Sequence, residues 1–140
     1  MRRLVLDTSV VAKWFLKEKD SMKAKSLLDA YTDGDIDIFI PGLLPYELAN
    51  ALWKRQRDGL TQPKAQKAYS DFLDLEIEQI ENVEIIAKAL ALAFRYEIAV
   101  YDAVFIALAK ELNCDLITAD EVLWRNVRDT EPRVKLLSSI

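Results

Sequence analysis

The sequence predicts an α/β protein with three layers, α/β/α, around a central parallel sheet of four to five strands. Two observations carry this. Short apolar runs such as Leu4-Val5-Leu6 and Leu116-Ile117-Thr118 lack polar alternation, as strands covered on both faces do. These runs alternate with amphipathic stretches of helical period, the pattern of a parallel sheet with helices on both faces. The length of 140 residues, 51% of them apolar, suits one domain spanning 1–140 with a full core.

Taken in order, Leu4-Val5-Leu6 is the first strand, and Thr8 or Ser9 can cap a helix from Val10 to Leu16. Lys17-Glu18-Lys19-Asp20 is a polar break. Ser21 opens a helix to about Tyr31, with Ala24, Leu27, Leu28 and Tyr31 on one face. Thr32-Asp33-Gly34-Asp35 is a turn, and Ile36 to Ile40 is a strand stopped by Pro41-Gly42. Pro45 suits the first turn of a helix running to Asp58, with Gly59 just beyond its end. A helix starting at Thr61-Gln62-Pro63 carries Ala65, Ala68, Tyr69, Phe72 and Leu73 as its stripe. Leu75 to Ile80 alternates like a short edge strand. Asn82 caps a helix from Val83 to Tyr96, and Asp102 to Leu112 is another. The last elements are a strand over Leu116-Ile117-Thr118, a short helix from Glu121 to Arg128 and a strand over Val134 to Leu137.

Composition narrows the chemistry. The net charge of −4 argues against a non-specific basic nucleic-acid binder. With no histidine, a Ser-His-Asp triad, a Cys-His dyad and a His-ligated zinc site are excluded. The single cysteine, Cys114, permits no internal disulfide and reads as a buried thiol beside an apolar run. The N-terminus lacks a signal-peptide core, and no apolar run is long enough to span a bilayer, so a soluble cytoplasmic protein is expected.

The acidic residues hold the chemical signal. Asp7 and Asp120 directly follow apolar β-runs, and Asp102 follows Ile98-Ala99-Val100-Tyr101 and opens a helix. In the α/β architecture all three lie on the edge where ligands bind, outside the carboxyl ends of the strands. Glu47, in the first turn of the helix after the second strand, can face the same edge. Taken singly, Asp7, Asp102 and Asp120 read equally as helix caps, and Glu47 as an ordinary first-turn glutamate. Four acids at equivalent topological positions form a stronger signal. Clustered carboxylates repel, and a divalent cation resolves the conflict. Oxygen ligands without His or Cys suit Mg²⁺ or Mn²⁺, which can lower the pKa of a bound water and stabilise charge on a phosphoryl oxygen.

At these residues the chain resembles a known family. Leu4-Val5-Leu6-Asp7-Thr8-Ser9, Pro45-Tyr46-Glu47-Leu48-Ala49-Asn50-Ala51-Leu52, Tyr101-Asp102-Ala103-Val104-Phe105-Ile106-Ala107-Leu108-Ala109 and Leu116-Ile117-Thr118-Ala119-Asp120 are similar to the four motifs of PIN-domain ribonucleases, in particular the VapC-type toxins. The ordered set covers essentially the whole chain. The resemblance implies a PIN-like fold and metal-dependent endonucleolytic cleavage of RNA by a homodimer restrained by a cognate antitoxin. It implies that Asp7, Glu47, Asp102 and Asp120 are the catalytic, metal-holding acids, with the hydroxyls of Thr8 and Thr118 in support. Some relatives place a further acid after the last motif. Glu121 and Asn126 are the polar residues there, and a fifth ligand is left open.

Lys13, Arg55 and Arg125 are candidate contacts to the RNA backbone, although each also reads as part of a solvated helix face. Trp14, Phe15, Trp53 and Trp124 read first as core and second as a partner-binding groove. Two other functions compete. One is a catalytically silent PIN-like scaffold or binding subunit. The other is a different phosphoryl-transfer α/β protein: a haloacid-dehalogenase-like phosphatase, disfavoured by Ser9 where a second aspartate belongs, or a response-regulator receiver, disfavoured by Leu6 before Asp7.

Overall fold

The computed structural model describes residues 1–140. Its five strands are β1 (Arg2–Leu6), β2 (Ile36–Pro41), β3 (Glu78–Ile80), β4 (Asp115–Thr118) and β5 (Val134–Leu136). They form one sheet in the order β3-β2-β1-β4-β5, and every neighbouring pair is parallel. Seven α-helices flank it: α1 (Thr8–Val11), α2 (Ser21–Thr32), α3 (Leu44–Lys54), α4 (Gln62–Asp74), α5 (Val83–Tyr96), α6 (Val100–Leu112) and α7 (Glu121–Val127).

The strand order creates the site. From β1 the chain steps to β2 and β3 on one side, then crosses back to β4 and β5 on the other. Right-handed crossovers running in opposite directions place their helices on opposite faces. The helices diverge between the carboxyl ends of β1 and β4, leaving the crevice in which such sheets bind ligands. The order also differs from the 2-1-3-4-5 order of receiver domains, which removes that alternative.

One continuous apolar core holds the layers together. Leu4, Val5 and Leu6 are fully buried, as a central strand requires. Helix α6 packs against β1, β2 and β4 through Ala103, Phe105, Ile106, Ala107, Leu108 and Ala109, and α5 packs on α6. Cys114 lies in this core, and burial pushes its thiol pKa up, as expected of an inert structural cysteine.

Several local expectations shift. The first helix is a single α-turn, Thr8–Val11, followed by a 3₁₀ turn at Ala12–Trp14. Neither Thr8 nor Ser9 caps it: Asp7 is the N-cap, and both hydroxyls bond elsewhere. The helix expected to reach Asp58 ends at Lys54 and continues as a 3₁₀ turn, Arg55–Asp58, which Gly59 ends with φ 94°. The edge strand is three residues, Glu78–Ile80. Ile98 and Ala99 form no strand, because α6 begins at Val100 and carries Asp102 in its first turn. Asn82 does cap α5, its side-chain oxygen accepting from the Glu84 amide at 2.8 Å.

Truncating Leu116, fully buried in β4, is expected to cost about 2–5 kcal/mol by urea denaturation. Leu90→Ala, on the exposed side of α5, should change stability by no more than about 0.5 kcal/mol. Equal losses from the two would contradict this core.

Candidate active site at the carboxyl edge of the sheet

Asp7 is placed by the backbone on both sides of it. Its amide donates to the Ile117 carbonyl at 3.3 Å, extending the β1–β4 ladder by one residue. Its own carbonyl accepts from the Val10 and Val11 amides, the first bonds of α1. The side chain is therefore fixed at the mouth of the crevice and is only 6% exposed. Burial dominates its titration and raises its pKa to about 6, with the negative charge of Asp120 adding to the shift; hydrogen bonds from the Ser9 and Thr118 hydroxyls oppose it. Although Asp7 stands at the N-cap, its carboxylate makes no capping hydrogen bond. It accepts instead from the Ser9 hydroxyl within α1, and the Val10 amide also favours its charged form.

Three hydroxyls brace this carboxylate and its neighbours. Ser9 donates from Oγ to Asp7 Oδ1 and accepts from the Ala119 amide at 2.9 Å, tying the end of β1 to the end of β4. Thr8 Oγ1 donates to Glu47 Oε1 at 2.7 Å and so links α1 to α3. Thr118, fully buried, accepts from the Asp120 amide at 3.1 Å and steadies the turn into α7. Ser9 was not among the site residues expected from sequence. Its position two residues after Asp7 was visible, but its bridge to Ala119 depends on β4 lying beside β1.

The other acids reach the edge from helix starts. Glu47 and Asp102, both half-buried, sit in the first turns of α3 and α6, where the helix dipole favours negative charge. Asp120 is exposed and caps α7, its Oδ1 accepting from the Leu123 amide at 3.0 Å. The capping role considered for Asp120 is therefore real. Asp102, in the third helical position, is not a cap. Electrostatic contact runs through the set. Burial first, and then the Asp102 charge, raises the pKa of Glu47; burial first, and then the Asp120 charge, raises that of Asp102. The structure thus joins Asp7, Asp120, Asp102 and Glu47 in one repulsive series, and none of the four takes part in an ion pair.

Such a donor set fits a hard divalent cation in its chemistry: oxygen ligands only, mutual repulsion and no internal counter-charge. In this geometry no three acids close tightly enough to ligate one ion. Glu121, beside Asp120, is exposed and pairs with Arg125 at 3.2 Å.

The basic candidates divide. Lys13 Nζ lies 3.6 Å from Glu18 Oε1, and Arg55 Nη2 lies 2.6 Å from Glu18 Oε2, so two residues distant in sequence converge on one carboxylate. Arg125 joins no such group. Among the aromatics, Trp14 is buried, its indole donating to the Ala24 carbonyl at 2.8 Å, and Phe15 and Trp124 pack against the core. Trp53 corrects the core expectation. It is 59% exposed and borders a cleft between α3 and α4.

Comparison with known proteins gives the family and the fold. The model of the PIN domain family matches residues 4–129, and the chain belongs to that family. Ribonuclease VapC3 of Pyrobaculum aerophilum is 29% identical over 126 residues, covering 86% of this chain and 92% of that protein. The crystal structure of PAE2754 from Pyrobaculum aerophilum superposes with a TM-score of 0.71 at 19% identity, over 99% of this chain and 92% of the other. VapBC2 from Rickettsia felis, solved bound to a DNA fragment from their promoter, matches with a TM-score of 0.63 at 16% identity, over 96% of each chain. These two likenesses establish the fold. No helix is long and apolar enough to cross a membrane.

The Asp7 shift has a measurable sign. Between its ordinary value of 3.8 and about 6, the folded chain binds more protons than the unfolded chain. Stability of the metal-free protein should therefore fall as pH rises through that window. Asp7→Asn is expected to stabilise the protein in EDTA at pH 7 by up to about 3 kcal/mol, and the gain should vanish near pH 4. Denaturant titration of both proteins at the two pH values checks this. A gain that does not depend on pH would sink the assignment.

Proposed function

We propose that residues 1–140 form one nuclease domain, a divalent-metal-dependent endoribonuclease of VapC type. It hydrolyses RNA phosphodiester bonds as the toxin of a toxin–antitoxin pair, in the cytoplasm, as a homodimer held in check by its antitoxin. The observation that carries this reading is the buried Asp7 carboxylate at the β1–β4 crevice, joined to three further acids with no cation among them. The PIN family match supports it, as do a relative named as a ribonuclease and the fold shared with VapBC2.

Asp7, Glu47, Asp102 and Asp120 would hold Mg²⁺ or Mn²⁺, which when bound supplies Lewis-acid stabilisation of charge on a phosphoryl oxygen and lowers the pKa of coordinated water. The residues of the chain do the positioning. Ser9 and Thr118 hold Asp7 in its charged form, and Thr8 fixes one oxygen of Glu47. Without histidine, a carboxylate is the kind of side chain left to take up a proton from the attacking water, and Glu47 and Asp102 stand half-buried at this edge.

The acids do not close on a single point as they stand, which favours a second reading, a silent PIN scaffold. Two measurements separate them. Asp102→Asn and Asp7→Asn should each lower Mn²⁺-dependent RNA cleavage by at least about 100-fold while far-UV circular dichroism is unchanged. Cleavage that survives both changes would contradict the mechanism. Mn²⁺ at about 100 times its dissociation constant should stabilise the wild type by about 2.7 kcal/mol, seen as a higher melting temperature. A melt unchanged by millimolar Mn²⁺ supports the scaffold.

A further inference from the structure

We propose that Lys13 and Arg55 form a seat for a phosphate of the bound RNA strand beside the acidic centre, and that the Glu18 side chain occupies this seat in the free protein. This rests on the ribonuclease reading.

The charge balance points there first. Lys13 and Arg55 share one carboxylate, with Glu18 Oε1 at 3.6 Å from Lys13 Nζ and Glu18 Oε2 at 2.6 Å from Arg55 Nη2. The only other acid near Arg55 is Asp58, at 3.9 Å with a side chain 71% exposed, and Lys13 has no other acidic partner. A protein of net charge −4 thus gathers two cations, distant in sequence, on one carboxylate. The Lys13 side chain is 12% exposed, and its single ionic contact is longer than a hydrogen bond. A contact this long leaves the ammonium able to take a closer anionic oxygen. A phosphodiester, like a carboxylate, offers paired oxygens to a guanidinium.

Position is the second argument. Thr8 bonds Glu47 where α1 meets the start of α3, and the 3₁₀ turn after α1 runs on against α3. Arg55 lies eight residues beyond Glu47, about 12 Å along a helix axis, within the reach of a few nucleotides. The Lys17–Asp20 segment also spans toward Asp120: Lys19 Nζ lies 3.9 Å from Oε1 of Glu121, the next residue. The seat therefore flanks the acidic edge.

Glu18 is built to yield. Its backbone is pinned by Ser21, with the Glu18 amide donating to Ser21 Oγ at 2.9 Å and the Ser21 amide to the Glu18 carbonyl at 3.2 Å. Its side chain is 33% exposed and can rotate into solvent with no backbone movement. RNA would replace one anion with another on the same two cations.

The test uses fluorescence anisotropy of a labelled single-stranded RNA, with every protein carrying Asp102→Asn so that the strand is not cut. Adding Glu18→Gln should tighten binding about three- to five-fold, and adding Arg55→Gln should weaken it by a similar factor. Arg55→Gln should also flatten the log–log salt dependence by about 0.7. If Glu18→Gln weakens binding or leaves it unchanged, Glu18 only braces Arg55 and the seat is overturned. Cleavage of the same RNA by the wild type with Mn²⁺ is followed in parallel. Cleavage together with unaltered affinities removes the seat and keeps the ribonuclease; absence of both cleavage and binding removes both.

Discussion

The burial of Asp7 is the constraint on which the rest of the structure turns. A carboxylate at the end of the central strand is drawn into a crevice with little water, and burial is the largest cause that raises its pKa to about 6. A fold tolerates such a group only where the surroundings compensate it. Here the compensation is partial: two hydroxyls and the Val10 amide favour the charged form, against a neighbouring negative charge and with no basic side chain paired to it. The protein keeps an unfavourable charge at the position where its topology opens a crevice.

The supporting shell follows from that constraint. Ser9 and Thr118 come from opposite sides of the β1–β4 pair, so a hydroxyl from each strand end contributes to one carboxylate. Thr8 carries the same logic outward to Glu47. The first α-turn is short because its residues serve these contacts: Thr8 and Ser9 turn their side chains to acids, and the helix is held by the Asp7 carbonyl and by burial of Val10 and Val11. Away from the site the chain resolves its charges in the ordinary way. Glu131, buried at 5% exposure, is met by the Tyr96 hydroxyl at 2.5 Å and the Lys110 ammonium at 3.2 Å. Buried Glu131 is thus paired with a cation, whereas buried Asp7 is not.

Much of this was legible before any coordinates. The alternation of unbroken apolar runs with helical stripes specified a parallel sheet, and the absence of histidine left carboxylates as the groups able to hold metal or move protons. The four acids could be named because each stands at the end of a strand or in the first turn of a helix. Element ends were less legible. Asp102 looked like a helix opener after the short apolar segment Ile98-Ala99-Val100, yet α6, packed across the sheet, begins at Val100. Trp53 looked like core because large aromatics usually are, whereas its place on α3 turns it outward.

Periodicity, composition and turn chemistry, all local, determined the fold class, the chemistry excluded and the identity of the acids. Tertiary structure alone decided the strand order, because β1 pairs not only with β2 but also with β4, across more than a hundred residues. That order makes Ser9 a bridge to Ala119, brings Thr8 to Glu47 and sets Asp7 within the field of Asp120. It also gathers Lys13 and Arg55 onto Glu18. Sequence spacing shows which groups can lie at an edge; only the packed sheet decides which of them share a charge, because electrostatic coupling depends on distance in space and on the water that burial removes.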